Sequence, residues 1–359
     1  MNSAMKIAII GTSNSIGPRG YVPALSQHPA VSRVGNFSLG HSTSIALAYT
    51  AHRINFTEWD FCVLDFSVNE EASTKKPEDL FRIESCLNYL LDQMAESGCL
   101  PVVLIMPTER GRGKILQVHE FYLRYATSKG LPLFDGFSFL RDLEVTNSAL
   151  DASEYFRDPD HLAPWASSLL GYHLADRLSR IDMKQHTISF PSLNSAQYSY
   201  LPMSEVAPEQ TFVERHTSLT SARFLHLSKN QKVVLEGIRP GKVVGIGINI
   251  NQTNALLRFQ SSARDSNAFY SERYFNTDPG KFTFVIRVIP EISVLDKTLS
   301  LEVLEFPKPE LAKHYMDHPA QAEVHGIAIE HEAVTMRSYE VSPAIMPLQT
   351  EIPAENLKR

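Results

Sequence analysis

The sequence is poor in cysteine. Its three cysteines, Cys62, Cys86 and Cys99, are widely spaced and form no C-x-x-C pair, which argues against a disulfide framework and a thiolate zinc site. Cys62 sits in an apolar run, Phe61 to Phe66, and reads as a small buried hydrophobe. Positive charge is also short: 34 Lys and Arg stand against 40 Asp and Glu, a formal charge of -6. A nucleic-acid partner is therefore not expected, because phosphate binding needs a basic surface. No apolar run is long enough to span a bilayer. The short run after Met-Asn-Ser-Ala-Met-Lys is too brief for the core of a signal peptide, so a cytoplasmic protein is the expectation. Nucleotide fingerprints are missing as well. The segment Gly11 to Gly17 spells neither G-x-G-x-x-G nor a P-loop, and no cofactor is expected. The chain has no internal repeat and no low-complexity segment, and nothing in it specifies an oligomeric state.

What remains is an ordinary globular composition, 43% hydrophobic and 21% charged, over a length of 359 residues that suggests two domains. The first half alternates short apolar strands with helices. Strands are expected at residues 6–10, 31–38, 61–66, 101–106 and 131–134. Helices are expected at 42–55, 77–98, 114–129 and 165–178. The helix at 77–98 shows the clearest period, with Leu80, Ile83, Leu87, Leu90, Leu91 and Met94 on one face and Gly98 as its stop. Strands without polar alternation are buried on both faces, which implies a parallel sheet between helical layers. In such sheets the functional loops gather at the carboxyl ends of the strands.

After Arg180 the character changes. Residues 184–209 read as an irregular polar linker. From Thr211 onward, strand-like runs at 232–235, 242–250, 255–259, 281–288 and 298–304 are separated by turns such as Arg-Pro-Gly and Asp-Pro-Gly. Two more runs, 323–329 and 333–341, complete an expected antiparallel β-sandwich. The sequence thus divides into an α/β domain at 1–183, a linker at 184–209, a β domain at 210–345 and a tail at 346–359.

The candidate chemistry lies at the strand ends of the first half. Ile9 to Ser15 (Ile-Ile-Gly-Thr-Ser-Asn-Ser) puts Ser13 after the first strand, with Ser15 as a second hydroxyl further from the strand end. Gly40 follows the second strand and Asn69 the third. Asp158 and His161 stand together in Asp-Pro-Asp-His before the last helix. Each has an ordinary reading: Ser13 as a helix cap, Gly40 and Asn69 as turn residues, Asp158 and Asp160 as caps of the following helix. Asp158, Asp160 and His161 would also suit a metal, but no second ligand cluster accompanies them. A serine hydroxyl becomes a nucleophile when a base takes its proton, and a carboxylate fixes the base in the right tautomer. All three parts are present in this chain.

Taken in order, Ser13, Gly40, Asn69 and the Asp158–His161 pair resemble the SGNH hydrolase family, the GDSL-type esterases and lipases, over about the first 180 residues. Gly11-Thr12-Ser13 is similar to the family's Gly-Asp-Ser, with Thr12 in the acidic position. Ser67-Val68-Asn69-Glu70 is similar to its Gly-x-Asn-Asp, with Ser67 and Glu70 as departures. Asp158 and His161 match Asp-x-x-His without change. The resemblance implies a three-layer α/β/α fold with Ser13, His161 and Asp158 as the triad. It also implies an oxyanion site formed by the Ser13 and Gly40 amides and the Asn69 side chain. The implied activity is hydrolysis of a small acyl ester, with an O-acetyl group on a carbohydrate expected because appended sandwiches accompany glycan-active members. Two alternatives stand beside it. One is a polysaccharide O-acetyltransferase, which would take its acyl group from a donor such as acetyl-CoA. The other is a glycan-binding protein without catalysis, left open by the departures at Thr12, Ser67 and Glu70. In the second domain, Tyr270, Tyr274 and Phe275 suggest a sugar-stacking patch, although aromatic residues in a sandwich more often belong to its core.

Overall fold

The computed structural model describes residues 4–114, 116–183, 196–216, 221–261, 266–272, 282–305 and 320–331. The chain forms two compact units. Of the described residues, one holds those up to Ser44 and those from Thr50 through the first half; the other holds Ile45–Tyr49 and those from Ala196 to His331.

The first unit contains β1 (Met5–Gly11), α1 (Ser13–Ile16), α2 (Val22–Gln27) and β2 (Val31–Asn36). A stretch of single helical turns follows, including α3 (Leu47–Thr50), whose first three residues cluster with the second unit. Then come β3 (Phe61–Asp65), α4 (Ser67–Ser73), α5 (Asp79–Met94), β4 (Leu100–Ile105), α6 (Gln117–Lys129), β5 (Leu133–Asp135) and α7 (Gly136–Thr146). A small hairpin of β6 (Phe156–Asp158) and β7 (His161–Leu162) precedes α8 (Pro164–Ser179).

The five main strands form one parallel sheet in the order β2-β1-β3-β4-β5. The alternation of side chains explains its two-sided burial. Ile7, Ile9, Phe61, Val63, Val102 and Leu104 share one core with residues of α2, α7 and α8. Their neighbours Ala8, Ile10, Cys62, Leu64, Val103 and Ile105 point the other way and are equally buried. The helices α5 and α6, which pack on β4, contribute nothing to the first core. Helices therefore cover both faces, as the apolar strands predict. Because β2 and β3 lie on opposite sides of β1, the strand order reverses there, and crevices open at such points beyond the carboxyl ends.

The second unit contains β8 (Gln197–Pro202), α9 (Met203–Val206), β9 (Phe212–His216), β10 (Ser221–Ser228), β11 (Lys232–Leu235), β12 (Gly241–Asn249), β13 (Ala255–Ser261), β14 (Ser266–Glu272), β15 (Phe284–Val294), β16 (Leu299–Leu304) and β17 (Gln321–His331). One antiparallel sheet runs β15-β12-β17-β10-β9, with β8 also on β17; the other runs β11-β16-β13-β14. A single core drawn from both sheets makes this unit a sandwich.

The structure corrects two boundaries. The expected linker, 184–209, lies outside the described residues as far as 195, but its remainder is folded. There β8 pairs along β17 from Gln197 to Pro202, and α9 buries Met203 and Val206 in the sandwich core. Tyr198 and Tyr200 alternate with Ser199 and Leu201, a period-two pattern masked by polar flanks. The first domain is also not continuous, since Ile45–Tyr49 belongs to the second unit. In that unit the Tyr49 ring packs edge-on against Tyr200, Phe284 and His325. The run expected at 333–341 and the tail lie outside the described residues. No described helix is long and apolar enough to cross a membrane.

A close helix crossing supports the sheet under the first strand. A Cβ at Gly171 of α8 would stand 2.1 Å from the Tyr21 carbonyl oxygen and 3.1 Å from the Leu25 amide of α2. Gly171→Ala should therefore force the helices apart and lower stability by roughly 1–3 kcal/mol, the usual cost of overpacking. Chemical denaturation of the variant checks this; an unchanged midpoint would mean that the crossing yields without cost.

Candidate active site

The strand β1 ends at Gly11 because the chain must fold sharply back over its end. A Cβ at that position would lie 2.5 Å from Ser15 Oγ and 2.9 Å from Asp65 Cβ, so only glycine fits. Thr12 is extended, and Ser13 then opens the four-residue turn α1. Across the sheet end, the β6–β7 hairpin carries Asp158 and His161.

These residues, 148 positions apart in sequence, meet. The Ser13 Oγ lies 2.8 Å from His161 Nε2, and His161 Nδ1 lies 2.6 Å from Asp158 Oδ1. Partial burial raises the Asp158 carboxyl, but hydrogen bonds from His161, Arg157 and the Asp160 amide outweigh it and hold the group below the usual carboxylate range. An ionised Asp158 can only accept, so the Nδ1 proton of a neutral imidazole faces it. The Nε2 lone pair is then left to accept from Ser13. His161 is 22% exposed and Asp158 39%, so the chain of bonds lies near the surface, where a bulky substrate can reach it.

The hairpin is itself tied down. Asp160 forms an ion pair with Arg110, its carbonyl accepts from Asn14 Nδ2 at 3.4 Å, and the Pro159 carbonyl accepts from the Glu109 amide at 3.1 Å. Asp160 is thus engaged by Arg110, not by a helix terminus. Among the described residues no group of three His, Cys, Asp or Glu is arranged to hold a metal ion.

Gly40 comes to the end of β1 because the chain continues along that strand after β2. The Phe37 amide donates to the Ile9 carbonyl at 2.8 Å, and the Leu39 amide to Gly11 at 3.0 Å. A Cβ at Gly40 would meet only Ile16 Cδ1, at 3.5 Å, so packing does not require the glycine. Asn69 lies not in a turn but in the first turn of α4. Its Nδ2 donates to the Ser42 carbonyl at 2.9 Å, which fixes the amide and leaves its second hydrogen uncommitted in that bond. Next to it, buried Glu70 accepts from the Ser44 amide at 2.6 Å through Oε1. Burial raises the Glu70 carboxyl, with the Ser44 bonds opposing. Asn69 and Glu70 together thus fasten the loop that carries Gly40.

Ser15, the second hydroxyl of the motif, points inward. It donates to Asp65 Oδ2 at 2.7 Å and lies 2.9 Å from the Tyr21 hydroxyl. Nothing in the local sequence links Ser15 with Asp65, because the partners are fifty positions apart. Arg110, Asn14, Asp65 and the Glu70–Ser44 link were all missed for the same reason. In the sandwich, Tyr270 packs against the core and donates to Glu272, while Tyr274 and Phe275 lie outside the described residues.

No known protein family and no curated protein matches the chain by sequence. Solved structures do match. A two-domain esterase active on acetylated mannans is 12% identical, with a TM-score of 0.65 over 94% of this chain and 93% of that one. The same esterase crystallised with mannopentaose gives a TM-score of 0.64 at 12% identity, over 93% and 92% of the two chains. The likeness shows the fold. The two-unit arrangement, a parallel α/β/α sheet domain and an antiparallel β-sandwich, is thus shared over nearly the whole length of both chains.

Asp65 generates a test of the site's interior. Burial pushes its carboxyl up to about 7, against the Ser15 hydrogen bond that lowers it. In the unfolded chain the group ionises near its ordinary value of 3.8. The folded state therefore binds the extra proton between those values, and stability falls as pH rises from about 4 to about 7 and then levels off. Asp65→Asn should remove up to roughly 4 kcal/mol of that fall. Denaturation midpoints measured across this range check it; parallel curves for variant and wild type would refute it.

Proposed function

We propose that the chain is a serine-dependent ester hydrolase acting on small acyl groups, O-acetyl in the first place, carried by a carbohydrate. The observation that supports this most is the continuous chain from Asp158 through His161 to Ser13. In the reaction, Ser13 Oγ attacks the ester carbonyl as His161 Nε2 takes its proton. The tetrahedral intermediate collapses, the ester C–O bond breaks, and His161 returns the proton to the leaving alcohol. Water then attacks the acyl-serine by the same route and releases the acid. Asp158 orients the imidazole and stabilises its cationic form. The Ser13 and Gly40 amides and the free hydrogen of Asn69 Nδ2 would hold the oxyanion. No cofactor enters any of these steps.

The acetylated-glycan part rests on the two-domain esterase of the same fold, which acts on acetylated mannans. The same acyl-serine would serve a transferase if a sugar hydroxyl replaced water. An aryl acetate incubated with and without a glycan acceptor separates the two. Acetate release unaffected by the acceptor supports hydrolysis; acetylated glycan supports transfer.

Two substitutions test the assignments. Ser13→Ala should reduce aryl acetate turnover to the uncatalysed background. Asn69→Ala should lower kcat by about 10²–10³, the usual worth of one oxyanion donor, in a protein that still folds but has a lower thermal midpoint for want of the Ser42 bond. Turnover close to wild type in Asn69→Ala would leave that residue with the loop contact to Ser42 alone.

A further inference from the structure

The turn that presents Ser13 is too short to hold itself. Four residues of helix supply few backbone bonds for the dihedrals they fix. In α1 the bonds that close the turn run from the Ser15 amide to Thr12 at 3.1 Å and from the Gly17 amide to Ser13 at 3.3 Å. Side chains must therefore fix it. Thr12 does not help, since its Oγ1 is buried with no hydrogen-bond partner among the described residues. Ser15 does. Its carbonyl accepts from Asn36 Nδ2 at 2.7 Å, and its hydroxyl donates to Asp65 at 2.7 Å. Asp65 lies directly across the β1–β3 ladder from Gly11 and is fully buried.

We propose that Asp65 is the positioning residue of the nucleophile: through Ser15 it pins the turn in the geometry that presents Ser13 to His161. It supplies from β3 the carboxylate that is absent at position 12. This role rests on the reading of Ser13 as the nucleophile.

The bonding is a relay. The Tyr21 hydroxyl donates to Ser15 Oγ, and Ser15 Oγ donates to Asp65 Oδ2. A hydrogen bond to an ionised acceptor is roughly twice as strong as one between neutral groups. The relay therefore tightens when Asp65 loses its proton. The other Asp65 oxygen has no partner among the described residues, which makes the charge costly. Titratable groups around Asp65 are Tyr21 ahead of α2, Tyr122 on α6 and Cys62 on β3; burial pushes all three well up, so they stay protonated. Glu70 shares the neighbourhood of Tyr122, but its Oε1 is engaged by Ser44. No described cation pairs with Asp65. Its ionisation in the neutral range should therefore show in the pH profile of the reaction.

The test follows kcat and KM for an aryl acetate from pH 5 to pH 9. In the wild type, kcat/KM should rise with the deprotonation of Asp65 near neutral pH. Asp65→Asn keeps an acceptor for Ser15 but cannot ionise, so its profile should lack that step. At high pH its kcat should be lower by about tenfold, with KM unchanged, as expected for a slightly misplaced nucleophile. Ser15→Ala breaks the relay while leaving Asp65 in place, and should show a similar kcat loss. Labelling of Ser13 by a fluorophosphonate at the same pH values does not depend on which ester is the substrate. If folded wild type is not labelled at any pH, the nucleophile reading falls and the positioning role falls with it. If labelling occurs with the same rate and pH profile in wild type, Asp65→Asn and Ser15→Ala, the positioning role alone is overturned.

Discussion

The 2.8 Å contact between Ser13 and His161 is the interaction on which the first unit's architecture converges. It joins the first strand of the sheet to the hairpin before the last helix. Ser13 can stand at that edge because Gly11 lets the chain fold back over β1. His161 can reach it because Asp160 and Pro159 are held by Arg110, Asn14 and Glu109. The sheet order places both beside the point where strand order reverses, which is where an open parallel sheet leaves room for a ligand.

Beneath that contact lies a second layer of buried acids. Asp65 and Glu70 are both fully buried, and each accepts a hydrogen bond from a residue of a loop that carries a candidate group. Asp65 holds the turn after β1, and Glu70 holds the loop after β2. The departures from Gly-Asp-Ser and Gly-x-Asn-Asp read differently in this light. The Thr12 hydroxyl has no hydrogen-bond partner among the described residues, yet a carboxylate stands one strand away. Glu70 stands where Gly-x-Asn-Asp has a shorter acid, and its side chain reaches the Ser44 amide.

Much of this was legible in the sequence. Continuous apolar strands alternating with periodic helices predicted a parallel sheet between helical layers, and the structure has one. Ser13, Asp158 and His161 were legible by type and order, and they meet. Asn69 was placed after the third strand, but its helical setting was not legible, since Ser-Val-Asn-Glu lacks a long apolar period. The fold of β8 was hidden because two tyrosines in a polar stretch give little hydrophobic contrast. Ile45–Tyr49 falls inside the helix that the pattern predicts at 42–55, and no local signal shows that it joins the unit formed from Ala196 onward. Asp65 sat in a run whose other members are apolar, so its partner, on another strand's turn, could be found only in three dimensions.

The central claim is that Ser13 is an activated nucleophile, and covalent capture measures this most directly. A fluorophosphonate adduct located by peptide mass mapping should fall on Ser13, be absent in Ser13→Ala and form far more slowly in His161→Ala. A folded wild-type protein that takes no adduct, or one whose adduct persists in Ser13→Ala, would contradict the account.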